Sequence, residues 1–157
     1  MNTASLHDIK KELHTLDAEA LADLCMRLAK YKKENKELLS YLLFEAHNEQ
    51  AYIVSVKEHV DEFFTTLPSR TNLYLVKKTL RKILRVVNKQ IKYSGIKETE
   101  VELRIHFCMK IKEARIPLTT GTVLYNLYQQ QLKKIYAALD KMPEDLQADY
   151  QRDVEKL

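Results

Sequence analysis

Few residues in this chain are of a type and spacing that could carry out chemistry. Glu49 is the most conspicuous, because from Lys36 to Leu67 the apolar residues Leu39, Leu42, Ala46, Ile53, Val56, Val60, Phe63 and Leu67 keep steps of three and four that Glu49 interrupts. A carboxylate on an apolar seam needs a buried partner or a raised pKa, and such groups concentrate in functional sites. With Glu45, His47 and Tyr52 close by, Glu49 could act as the base or ligand of a small polar pocket. The simpler reading, and the preferred one, is that Glu49 reaches a Tyr, Arg or Lys of a neighbouring helix or turns to the surface, since structural ion pairs perturb carboxylates too.

Metal and cofactor chemistry finds little support. A di-iron bundle uses paired Glu-x-x-His motifs, and none of His7, His14, His47, His59 and His106 has a Glu three residues before it. Glu102 and His106 stand at i and i+4, where two ligands could share an ion, but two ligands do not make a closed site. There is no Gly-rich phosphate loop, no His-Glu-x-x-His, no Gly-x-Ser-x-Gly and no paired-cysteine pattern. No metal or cofactor is expected, and the balance is against an enzyme.

The strongest signal is electrostatic. Residues 63–97 contain nine Lys or Arg and no Asp or Glu, whereas residues 1–62 carry eight bases and twelve acids and residues 98–157 nine and ten. In the segment 71–94, Leu73, Val76, Leu80, Ile83, Val87 and Ile91 recur at helical spacing, with Lys78, Lys82, Arg85, Lys89 and Lys92 opposite them. Arg70, Lys77 and Arg81 broaden that basic face, and Tyr74 and Tyr93 flank it. Lys78 to Lys92 spans about 21 Å at about 1.5 Å per residue, enough to follow several phosphates. A basic face can equally be solvated, or be neutralised by the acidic C-terminal segment that holds Asp140, Glu144, Asp145, Asp149, Asp153 and Glu155.

These residues need elements to position them. A chain of 157 residues with a net charge of +4 fits a single domain able to bury roughly 68–70 per cent of its unfolded surface. Two glycines and three prolines argue against β-sandwiches and Rossmann sheets, whose turns rely on Gly. Cys25 and Cys108, on separate apolar stretches, are expected to be free buried thiols. No apolar run reaches the roughly 18 residues of a membrane span, so a cytoplasmic protein without a membrane partner is expected.

Ser5 with Asp8 predicts a short first helix to about Leu13. Asp17 predicts the next, to about Lys30, with Leu21, Leu24, Cys25 and Leu28 as its buried stripe and a turn at 31–35. A long helix is predicted over 36–67, stopped by Pro68. The basic helix is expected to be capped by Ser69 or Thr71 and closed by Gly95. A capping box of Thr99 and Glu102 predicts the helix carrying Val101, Leu103, Ile105, Phe107, Cys108 and Ile111, with an apolar face wide enough for burial on more than one side. Further helices follow Thr122 and, with Pro143 at its first position, Pro143. The expected fold is all-α, an antiparallel multi-helix bundle of about six main helices in one domain spanning 1–157, with a short α-solenoid of helical hairpins as the alternative. The function read from this is a non-catalytic scaffold or adaptor with a protein partner. The alternatives are nucleic-acid or polyanion binding through helix 71–94, and small-molecule binding or catalysis near Glu49.

Overall fold

The computed structural model describes residues 2–157. Among them the regular structure is helical throughout, with eight α-helices and no strand. The chain divides into two compact units, Met1–Phe44 and Glu45–Leu157.

The first unit holds α1 (Leu6–Leu13), α2 (Ala18–Tyr31) and α3 (Lys33–Ser40). Ser5 and Asp8 form the expected capping box, and Asp17 accepts from the Ala20 N–H at 2.8 Å. Lys32 takes an extended conformation and separates α2 from α3, while the Asn35 side-chain amide donates to the Leu28 carbonyl at 2.8 Å and ties the two together. The predicted buried stripe of α2 is not buried. Leu24 is 41% and Leu28 60% exposed, and Cys25 is exposed as well. A three-helix segment of 44 residues encloses too little volume to cover its own apolar face.

The single long helix expected over 36–67 is broken. After α3 the backbone widens into a π-helical turn, Tyr41–Glu45, and then leaves helical geometry before α4 (Glu49–Thr65). The break carries neither Gly nor Pro. Asn48 makes it, since its side-chain oxygen accepts from the Ala51 N–H at 3.1 Å and starts a new helix where the periodicity alone would continue the old one. The short first helix stands as predicted beside the six main ones, and this break adds the eighth.

The second unit comprises α4, α5 (Leu73–Ser94), α6 (Lys97–Glu113), α7 (Val123–Leu139) and α8 (Glu144–Val154). It is a bundle assembled around α6, which packs against α4, α5 and α7. Val101, Leu103, Phe107, Cys108 and Ile111 of α6 are at most 1% exposed and point to several sides of the helix, as its broad apolar pattern implied. α5 contributes Val76, Leu80, Ile83 and Val87, α4 contributes Ile53 and Val60, and α7 contributes Ile135. Phe64 and Phe107 meet edge to face with ring centroids 5.9 Å apart. Burial pushes the Cys108 thiol up to about 12, against a smaller lowering by the Arg104 charge, so it is an inert core residue.

Caps account for the remaining boundaries. Asn72, rather than Ser69 or Thr71, caps α5 by accepting from the Leu75 N–H at 3.2 Å. Gly95 closes it at φ 68°, its N–H donating to the Ile91 carbonyl at 2.9 Å. α6 starts two residues before the predicted capping box. Thr99 lies inside the helix, fully buried, and its hydroxyl is used elsewhere. Pro143 is the N-cap of α8 rather than its first helical residue.

Candidate polyanion-binding surface

α5 is a 22-residue helix without a single acid, Gly or Pro. Its buried residues fall on one side. At about 100° per residue, Lys77, Lys78, Arg81, Arg85 and Lys92 cluster around the opposite pole, within roughly 60° of one another's mean direction. The side chains of Tyr74, Lys77, Lys78, Arg81, Leu84, Arg85 and Asn88 line a groove of about 520 Å³ along this helix. Lys77 Nζ lies 5.4 Å from the centre of the Tyr74 ring, and Tyr74 is 68% exposed.

The other predicted cations are placed differently. Lys82 turns toward α4, with its Nζ 5.6 Å from the Phe63 ring centre. Lys89 is half-buried on the same flank, Lys92 is exposed one turn from the end of the helix, and Arg70 is exposed in the loop before it. Tyr93, predicted to flank the basic face, is buried. Leu84 and Asn88 line the groove but went unmarked in the sequence. The available signal for Asn88 was its position three residues beyond Arg85, on the same arc.

Among the described residues, Arg70, Lys77, Lys78, Arg81, Lys82, Arg85 and Lys92 form no ion pair. The acidic segment that could have neutralised them docks elsewhere. Tyr150 of α8 donates to Glu102 of α6 at 3.1 Å, Lys112 of α6 donates to the carbonyls of Lys156 and Leu157 at 2.7 and 2.9 Å, and Tyr128 of α7 donates to the Leu157 carbonyl at 2.8 Å. Asp149 and Asp153 face a recess shared with Lys57, Glu102, His106 and Met109. The C-terminal segment is therefore tied to α6 through Tyr150 of α8 and to α6 and α7 through the residues that follow that helix, and the ridge on α5 keeps its charge.

Beneath the groove lies a buried polar cluster. Arg104 of α6 is 5% exposed and pairs with Glu100 at 3.0 Å, while its Nη1 donates to Asn88 Oδ1 at 2.9 Å and to Gln131 Oε1 at 2.8 Å. Burial works to raise the Glu100 carboxyl, but hydrogen bonds from Lys97 and Arg104 together with their charges outweigh it and hold the group below its ordinary value.

Comparison with protein-family models, curated proteins and solved structures found no match.

The four residues weighed for a polar pocket, Glu45, His47, Glu49 and Tyr52, are differently placed. Glu49 accepts from the hydroxyls of Ser94 and Thr99, tying the start of α4 to the junction of α5 and α6. His47 is exposed in the turn before α4. Glu45 and Tyr52 do share a recess of about 390 Å³, with Ser55, Glu58, His59, Glu62 and Gln90. There the Tyr52 hydroxyl donates to Gln90 Oε1 at 2.6 Å, and His59 is engaged by Glu62 at 3.3 Å. The i,i+4 pair of α6 is also divided between partners. Glu102 holds Lys57 at 2.7 Å and Tyr150, and His106 Nε2 holds Asp61 at 2.7 Å. No group of three metal-ligating side chains converges among the described residues.

Proposed function

We propose that this protein is a non-catalytic binding module whose α5 ridge takes an extended polyanion. One observation carries the reading: among the described residues the cations lining the groove have no ion-pair partner, while the acidic C-terminal segment is tied to α6 and α7 by Glu102, Lys112 and Tyr128. A like-signed row of four side chains, Lys77, Lys78, Arg81 and Arg85, on one face of one helix costs self-repulsion in the free protein. A polyanion relieves that repulsion and gains the entropy of its released counterions.

The test is fluorescence anisotropy of a labelled oligonucleotide titrated with protein at two salt concentrations. Neutralising four phosphates gives roughly a 50- to 150-fold loss of affinity between 50 and 200 mM salt, from a slope of about −0.7 to −0.9 per phosphate. Arg81→Glu/Arg85→Glu is expected to weaken binding at least roughly 100-fold at 50 mM salt, with the helical circular dichroism unchanged because both side chains are exposed. A folded double variant that binds like the wild type would sink the reading.

A separate observation supports a protein partner, and with it the adaptor role. Leu24, Leu28, Leu42, Leu43 and Phe44 are 41–70% exposed, and Cys25, Leu28, Ala29, Asn35, Leu38, Leu39 and Leu42 line a cleft of about 230 Å³ within the first unit. A bait carrying Leu28→Asp/Leu42→Asp should lose the proteins that the wild-type bait retains at high salt. Identical retention by the two baits would argue that this face binds nothing.

A further inference from the structure

We infer that the polyanion is a single-stranded nucleic acid, with Tyr74 stacking on an unpaired base while Lys78, Arg81 and Arg85 follow the backbone; this rests on the polyanion reading above.

Charge alone would suit any polyanion, but the groove offers more than charge at each end. At one end stands Tyr74, 68% exposed on the first turn of α5. An exposed aromatic ring loses more by facing water than the polar residues that usually occupy such a site, and it has a π-face that any nucleobase can cover. The Lys77 ammonium against the ring polarises it without removing it from solvent. A paired base, stacked inside a duplex, cannot reach such a ring. A sulfated or phosphorylated chain without bases has nothing to place there.

At the other end stands Asn88, whose orientation is set from below. A guanidinium only donates, so the Asn88 atom that meets Arg104 Nη1 at 2.9 Å must be the amide oxygen. The amide nitrogen is left toward the groove that Asn88 lines. No buried side-chain nitrogen or oxygen among the described residues lacks a partner. The amide N–H₂ is thus a solvated donor held in a fixed direction, suited to a base or sugar oxygen. Tyr74 and Asn88 lie about 21 Å apart along the helix at about 1.5 Å per residue, with the cations between them. This order of aromatic, cationic ridge and neutral donor matches a strand whose backbone runs along the charges and whose bases turn outward at its ends.

The experiment compares three labelled or competing probes at 50 mM salt: a 15-residue oligothymidylate, a 15-base-pair duplex and inorganic polyphosphate. Oligothymidylate is expected to bind at least about tenfold more tightly than the duplex. Tyr74→Ala should weaken oligothymidylate about 5- to 150-fold, the span expected for loss of one stacked base, and leave competition by polyphosphate within about twofold. Tyr74→Phe, which keeps the π-face, should restore binding. Equal losses for oligothymidylate and polyphosphate, no loss for either, or a preference for the duplex would each overturn the inference while leaving the polyanion reading in place. Failure of all three probes to bind the wild type would remove that reading itself.

Discussion

Arg104→Ala is expected to lower the unfolding free energy by about 3–5 kcal/mol, the range found when one partner of a buried ion pair is removed. The cost lies in the groups left behind more than in the bonds that are deleted. Gln131 is 1% exposed, and Asn88 is half-buried with its amide oxygen turned inward. Without the guanidinium, both oxygens face the space it vacated, and each unsatisfied polar atom costs about 1–3 kcal/mol. Glu100 keeps Lys97 at 3.0 Å but loses its more deeply buried partner. The acid limb supplies a second signature. Because the folded pKa of Glu100 is depressed, its contribution is fully present above the ordinary carboxylate range and disappears as pH falls through the folded value. The part of the Arg104→Ala penalty that belongs to Glu100 should therefore shrink as pH falls below the ordinary carboxylate range, while the part from Asn88 and Gln131 persists. Urea titrations of wild type and variant at pH 7 and in that acid range measure both. A penalty under about 1 kcal/mol at pH 7 would show that the cluster is not closed as described.

Phe107→Ala is expected to cost about 3–5 kcal/mol by a different route. Phe107 is fully buried on α6, the helix against which α4, α5 and α7 pack, and its ring meets Phe64 of α4 edge to face. Truncation removes apolar surface burial and leaves a cavity that three neighbouring helices would have to shift together to fill. Urea denaturation should show a lower midpoint with an unchanged slope, since the surface exposed on unfolding hardly changes. A loss below about 1.5 kcal/mol would mean that the helices around α6 collapse freely, which a bundle tied by the hydrogen bonds and ion pairs of Glu49, Arg104 and Lys57 should not do.

Much of the second unit was legible in the residues. α5 could be drawn almost to its ends because periodicity, absence of breakers and Gly95 agree, and α6 announced its central place by apolar residues on more than one side. The break before α4 was not legible. Residues 41–48 contain no Gly or Pro, and their apolar spacing continues smoothly across a point where Asn48 competes with the backbone for hydrogen bonds. The same spacing made Glu49 look like an intruder on a seam. Once the helix restarts at Glu49, its carboxylate sits in a first turn, where negative charge is favourable, and faces two hydroxyls that the linear sequence places 45 and 50 residues away. The basic ridge was legible as charge, but its freedom from the acidic helix was not, because that depends on where α8 docks.

The ridge also has a property that follows from being built on one helix. Most recognition surfaces gather residues from several loops, and their spacing drifts whenever those loops move. Here Lys78, Arg81 and Arg85 stand at rises of about 4.5 and 6 Å set by the helical repeat itself. Val76, Leu80, Ile83 and Val87, all at most 1% exposed, clamp the opposite side of that helix along the same length. The ridge is a ruler whose graduations are backbone geometry, so the spacing of its charges is set by the fold rather than by the motion of loops.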